Sequence, residues 1–371
     1  MATDWKQHLG TACAALAFGG FAWFCVPFTH AADVVNVYNW GNSIGKATIA
    51  NFEKATGIRV VYQEFDSNET LQVKLLSGTS GYDVVVPSHT FWARQLQSGL
   101  FRKIDKSKVP NYRLLDPEIM KVLSKDDPGN QFGIPWTWGT DGLGINVEKV
   151  KAALGDDASL DSLSLLFDPK YAQKLKHCGV SVVDSPADAF GLAFMYLKKD
   201  PDTTNPADYQ AAYELMKTVR PYITQFNSSS YINDLAGGDI CLALGWSGDV
   251  NSARIAAGAA KKPYRIKYVI PIEGSAMWLD MMAIPKDAPH PDAALKFIDF
   301  VLSENESANL TNDTSYPSAV PSSKRLVRAE VTSDPAVFPP ADVIRKLSLS
   351  KPVPPDLMRL QNRLWTKLKT G

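Results

Sequence analysis

Residues 34–65 read VVNVYNWGNSIGKATIANFEKATGIRVVYQEF, and this stretch decides the fold. VVNVYNW is a β-branched run, expected to be a strand. GKATIANFEKATG follows, placing Ile49, Phe52 and Ala55 on one helical face and ending on Gly57, a stop signal. IRVVYQEF is a second β-branched run, so the unit reads strand, helix, strand. The alternation continues through the helix NETLQVKLLSG, the strand YDVVVPS and the helix HTFWARQLQSG. Apolar strands separated by single helices predict a parallel sheet covered on both faces. Ligands of such sheets sit beyond the carboxyl ends of the strands. Trp40, Ser88 and Trp246 each fall just after an expected strand.

A second α/β unit begins near TDGLGINVEKV and continues through CGVSVVD, PADAFGLAFMYLKK, PADYQAAYELMKTVRP and DICLALGW. IKYVIP and MWLDMMAIP read as further strands, PDAALKFIDFVL as a helix, and helical segments close the chain. A length of 371 residues predicts two domains, because single cores stop growing near about 250 residues. No repeat or flexible tether separates the units. They are expected to exchange strands through short crossings and to leave a cleft between them.

Several functions can be set aside. The 39 basic residues balance 39 acidic ones, so no net field draws the chain to nucleic acid. GNSIGKAT has one spacer too few for a phosphate loop and carries Ala47 where a hydroxyl is needed. GWSGD is one residue short of a nucleophile elbow. After the N-terminal stretch the histidines are His89, His177 and His290, far apart in sequence, and no zinc motif occurs. Neither a metal nor a cofactor is expected.

What remains is aromatic and acidic. Strand ends and loops carry Tyr38, Trp40, Trp246, Trp278 and Tyr316, with Asp249 and Asp280 close by. In AMWLDMMAIP, strand alternation puts Trp278 and Asp280 on one face. A carboxylate inside an apolar strand is costly unless paired. In LGWSGDV, Trp246 and Asp249 read either as a packed indole with a helix-capping aspartate or as two walls of a cation site. Trp40 has the same choice between core and site. Together these residues describe a box of π-faces closed by carboxylates, suited to an ammonium group on an aliphatic chain. Cation–π contacts contribute about 0.5–2 kcal/mol each and charge-assisted hydrogen bonds about 1.5–3 kcal/mol.

The first residues differ in character. Leu9–Phe28 is apolar and uncharged, one lysine precedes it, and Ala31-Ala32 follow. That is the layout of a signal peptide cleaved near residue 31, the alternative being an uncleaved anchor. Trp23 and Phe24 are too bulky to place Cys25 in a lipidation signal. Cleavage removes Cys13 and Cys25 and leaves Cys178 and Cys241, either one disulfide or two buried thiols.

Nearly the whole chain after this segment resembles the periplasmic polyamine-binding proteins, the putrescine and spermidine receptors of ABC transporters. The resemblance runs through VYNWGN, FEKATGIRVVY, DSNETL, GYDVVVPS, GINVEKVKAALG, SSYINDLAGGDICLALGWSGD, PIEGSAMWLDMMAIP and FPPADVIRKL. It implies a two-lobed α/β fold, each lobe a mainly parallel sheet flanked by helices, with the ligand in the interlobe cleft. The expected division is a signal peptide at 1–31, one lobe from 32–139 plus 254–310, and the other from 140–253 plus 311–371. The resemblance also implies an aromatic box of Trp40, Trp246, Trp278 and Tyr316, and ammonium-binding carboxylates at Asp249 and Asp280. Asp188 would stand near the other end of the ligand, with Gly41, Asn42, Ser88 and Ser228 lining the cleft. Cys178 and Cys241 look like the pair the family bridges. The implied protein is a periplasmic monomer that delivers a polyamine to an inner-membrane permease and catalyses nothing. Two positions depart: Asn42 and Ser43 stand where the family carries an acidic residue and a tyrosine. They keep open another cationic ligand, such as a guanidino compound or an amino acid. Paired catalytic carboxylates at Asp249 and Asp280, as in a glycosidase, form the reading from a different class.

Overall fold

The computed structural model describes residues 33–344 and 347–371. The segment expected to be a signal peptide lies outside the described residues, as do Cys13 and Cys25.

Strand β1 (Val34–Trp40) pairs in parallel with β2 (Arg59–Phe65) along its whole length, from Val34 opposite Arg59 to Trp40 opposite Phe65. β3 (Val84–Val85) pairs in parallel on the other side, giving the order β2-β1-β3. The connecting helix, Thr48–Thr56, buries Thr48 and Phe52, leaves Ile49 half-buried and exposes Ala55. It ends where Gly57 turns left-handed at φ 72°, a conformation a Cβ disfavours.

β4 (Ile134–Asn146) organises the rest. Its first half pairs antiparallel with β9 (Ala276–Met282), placing Thr137 opposite Asp280 and Gly139 opposite Trp278. Its second half pairs antiparallel with β7 (Leu242–Trp246) and β8 (Ile266–Val269). Beyond β7 lie β5 (Val180–Val182) and β6 (Gln225–Phe226), both parallel, and β10 (Ser348–Leu349) adds in parallel to β9. The sheet is therefore mixed, because β4 runs against three neighbours.

Two large apolar cores flank this strand. One contains Val35, Phe52, Trp136 and Phe297; the other contains Leu143, Leu242, Tyr268 and Trp365. The change of core occurs inside β4, between Trp136 and Leu143, and inside β9, between Ala276 and Met282. The expected crossings are thus two paired strands. Ala257, Ile266, Tyr268 and Val269 pack with the second core, although 254–310 was expected on the first lobe. Ala319 and Val320 pack with the first core, although 311–371 was expected on the second. The cause is pairing: β8 zips onto β4, the chain passes to the first core at β9, and it returns to the second core by Leu357.

Cys178 and Cys241 form a disulfide, with Cα atoms 5.4 Å apart and a sequence separation of 63. A loop of that size contributes about 4 kcal/mol in the chain-entropy account. Among the described residues, no helix is long and apolar enough to cross a membrane.

Candidate functional site

β1, β7 and β9 each deliver an aromatic residue to one cavity of about 460 Å³ between the cores. Trp40 ends β1, Trp246 ends β7, and their rings meet edge to face at 5.9 Å. Trp278 on β9 and Tyr316 meet in the same manner at 5.1 Å. These two pairs form part of the aromatic wall. Glycines make the approach possible: a Cβ on Gly139 would lie 2.4 Å from the Trp278 indole, and one on Gly248 2.6 Å from the Tyr316 ring. Trp40 also keeps one side on the core, against Phe65 at 4.6 Å.

Asp249 lies in the first turn of the helix Ser247–Ala259. Its side chain does not cap that helix. Its Oδ1 instead accepts from the Tyr316 hydroxyl at 2.7 Å and the Asn42 amide at 3.3 Å, and its Oδ2 from Tyr231 at 3.0 Å. Burial pushes its carboxyl up to about 6, against the three hydrogen bonds, which favour the charged form. Asn42, in the left-handed region at φ 55°, thus faces Asp249 as a donor, where a carboxylate would repel it.

Asp280 accepts from Ser88 at 3.1 Å and from Thr137, across the strand pair, at 3.5 Å. Burial raises it to about 7, and the charge of Asp188 adds to the rise. Ser88 is held in turn by Asn68, whose amide donates to its hydroxyl at 3.2 Å. Asp188, in the first turn of Pro186–Tyr196, accepts from the Trp246 indole at 2.9 Å. It keeps some exposure to the cavity, yet it lies deep enough that desolvation raises its carboxyl.

All eleven residues expected to contact a ligand line this cavity: Trp40, Gly41, Asn42, Ser88, Asp188, Ser228, Trp246, Asp249, Trp278, Asp280 and Tyr316. Ser228 also holds the Asp184 backbone N–H at 3.0 Å. Tyr38 is different: it stays in the core, stacked on Tyr82 at 4.4 Å. Sequence reasoning missed Asp141 and Tyr231. Asp141 lines the cavity while only 2% exposed, and its Oδ1 has no hydrogen-bond partner among the described residues. Desolvation, and after it the charge of Asp188, raises its carboxyl well above the ordinary range. The argument applied to Asp280, a carboxylate inside an apolar strand, would have found Asp141 in TDGLGIN. Nothing local marks Tyr231, whose bond to Asp249 depends on a helix packing against β7.

No lysine, arginine or histidine among the described residues forms a salt bridge with Asp141, Asp188, Asp249 or Asp280. Uncompensated carboxylates among indoles make a receptor for cations.

Residues 47–339 match the bacterial extracellular solute-binding protein family. The putrescine-binding periplasmic protein SpuD of Pseudomonas aeruginosa (strain UCBPP-PA14) is 46% identical over 343 residues, 92% of this chain and 94% of the relative. The putrescine-binding periplasmic protein PotF of Escherichia coli (strain K12) is 46% identical over 338 residues, 91% of each. A solved structure from Listeria monocytogenes, assigned to a spermidine/putrescine ABC transporter, superposes with a TM-score of 0.81 at 30% identity. It covers 91% of this chain and 99% of that one.

Proposed function

The chain belongs to the bacterial extracellular solute-binding protein family, and from that premise we propose that it captures an aliphatic polyamine, a putrescine-like diamine first, and hands it to the inner-membrane permease of an ABC transporter. The observation that carries this reading is that Asp141, Asp188, Asp249 and Asp280 line an aromatic cavity and form no salt bridge among the described residues. An ammonium group supplies the missing charge, and the methylene chain fills the space beside the indoles. Two relatives 46% identical are named for putrescine and for the periplasm, which supports both the ligand class and the compartment. Residues 1–31 would direct export and be removed, leaving a monomeric receptor.

The roles follow from position. Trp246 covers the ligand stem while Asp249, fixed by Tyr231, Tyr316 and Asn42, takes one ammonium. Asp280, steadied by Ser88 and Thr137, faces the same space from β9. Asp249 and Asp280 are thus ligand carboxylates and not the acid and base of a hydrolase. The lobes form around the two cores, one on Val35, Trp136 and Phe297 and the other on Leu143, Leu242 and Trp365, joined through β4 and β9.

A thermal-shift panel of putrescine, cadaverine, spermidine, agmatine and basic amino acids tests the reading on protein stripped of copurified ligand. One aliphatic amine should stabilise the fold, by about 2.7 kcal/mol at a hundred times its dissociation constant. Asp249→Asn should weaken that amine about 10- to 100-fold, since one charge-assisted bond carries about 1.5–3 kcal/mol. Equal stabilisation of Asp249→Asn, or none by any amine, would contradict it.

A further inference from the structure

The C-terminal helix, Pro355–Thr370, packs on the second core through Leu357, Leu364, Trp365 and Leu368. Gln361, Trp365 and Lys369 recur at every fourth residue, so they stand in one row along its surface. That row meets the turn between β5 and the helix Pro186–Tyr196. Lys369 Nζ donates to both carboxylate oxygens of Asp184 at 2.7 Å, and the Trp365 indole donates to Oδ1 at 2.7 Å. One helical turn before Trp365, the Gln361 amide donates to the Pro186 carbonyl at 3.3 Å.

This turn does little to hold itself. Ser185 makes no side-chain capping bond to the helix it precedes, and Pro186 has no backbone N–H to offer. Apart from the C-terminal row, the Ser228 hydroxyl holds the Asp184 N–H at 3.0 Å. Asp188 follows in the same first turn, lines the cavity and accepts from the Trp246 indole at 2.9 Å. Its place therefore follows that of Asp184 and Pro186. The row is braced in turn. Arg220 donates to the Leu368 and Lys369 carbonyls at 3.0 and 3.1 Å, which satisfies acceptors that a helix end leaves open. The Arg220 guanidinium lies 5.2 Å from the Phe226 ring, which meets Trp365 edge to face at 5.1 Å. The leucines already attach this helix to the core, so three polar side chains on one turn do something further. Lys369 pairs with Asp184, while Asp188, four residues on, forms no salt bridge among the described residues and stays open to the cavity.

We propose that Gln361, Trp365 and Lys369 are positioning residues for ligand capture: by fixing Asp184 and Pro186 they aim Asp188, and the Trp246 indole bonded to it, into the cavity. This rests on the amine reading above and deepens it, because the C-terminal helix then sets affinity from behind the cavity wall. Trp365 and Lys369 lie outside the cavity lining, so they act through the turn and not on the ligand. Removing the Lys369 ammonium leaves Asp184 without its cation and loosens the turn. Asp188 then has to be ordered by the ligand itself, which costs affinity.

The test is a double-mutant cycle. Putrescine is titrated calorimetrically into ligand-free wild type, Lys369→Met, Asp188→Asn and the double variant. Lys369→Met should weaken putrescine about three- to tenfold when Asp188 is intact, and by less than about twofold in the Asp188→Asn background. Lys369→Arg should restore most of the wild-type affinity. A helix that only stabilises the fold lowers the melting temperature and leaves the two ratios equal. Equal ratios, or no loss of affinity, would overturn the proposal while leaving the amine reading intact. A second readout needs no ligand: the indole N–H resonance of Trp246, assigned through Trp246→Phe, should shift in the NMR spectrum of Lys369→Met. An unmoved resonance overturns the proposal. A wild type that binds no amine overturns the amine reading, and the resonance then decides this proposal by itself. Gln361→Met takes the place of Lys369→Met should that variant fail to fold, with the same pattern expected.

Discussion

A raised aspartate is the informative residue of this site. Asp249 and Asp280 sit near 6 and 7 because burial penalises their charge, and no cation among the described residues pairs with them to repay that cost. Their folded-state values lie above the ordinary 3.8, so the folded, ligand-free chain holds protons that the unfolded chain has released. Their contribution to ligand-free stability is therefore least favourable above pH 7 and improves as the pH falls toward 4. Bound amine reverses the sign, because an ammonium keeps both carboxylates ionised. The gap in melting temperature between bound and free protein should be widest near pH 8 and shrink steadily toward pH 5. A gap that stays constant, or widens in acid, would mean that these carboxylates do not face the ligand's charge.

At the scale of elements, β4 and β9 hold the site together. Gly139 is the position that lets the Trp278 indole cross β4, so Gly139→Ala must push that ring from its place against Tyr316. Overpacking of this kind costs about 1–3 kcal/mol. The variant should melt several degrees lower and bind amine more weakly, by about tenfold or less; unchanged affinity would show that Trp278 is not part of the box. The sequence made some of this legible and hid the rest. The first β-α-β unit was readable because Val35 and Val37 alternate with less buried neighbours and Gly57 closes the helix. Trp278 and Asp280 were placed correctly on one face by alternation alone. β4 was not legible as one strand. It is buried almost throughout, so it shows no polar alternation, and its glycines at 139, 142 and 144 look like a loop. Those glycines are there because Trp278, Val269 and Val250 come close. Asp141 was lost with the strand that carries it. The lobe boundaries had the same cause, since they were drawn along sequence segments while the packing follows β4 and β9.

For the whole molecule, the residues lining the cavity divide between the two cores. Trp40, Asn42 and Ser88 come from elements packed on the first core, and Asp188, Trp246 and Asp249 from elements packed on the second. A ligand touching both sets gains contacts only when they approach, so binding favours the closed arrangement. β4 and β9 pass between the cores as a paired ribbon, a connection that can bend without separating. The disulfide fastens the start of β5 to the start of β7 within the second core, so it stiffens one lobe and leaves the crossing free. The measurement that bears most directly on this account is a calorimetric titration, at pH 8, of refolded, ligand-free wild-type protein with putrescine. The account predicts one site per chain and a dissociation constant of about a micromolar or tighter, corresponding to roughly 8 kcal/mol or more. Absence of binding heat, together with no shift in melting temperature at millimolar putrescine, would contradict it.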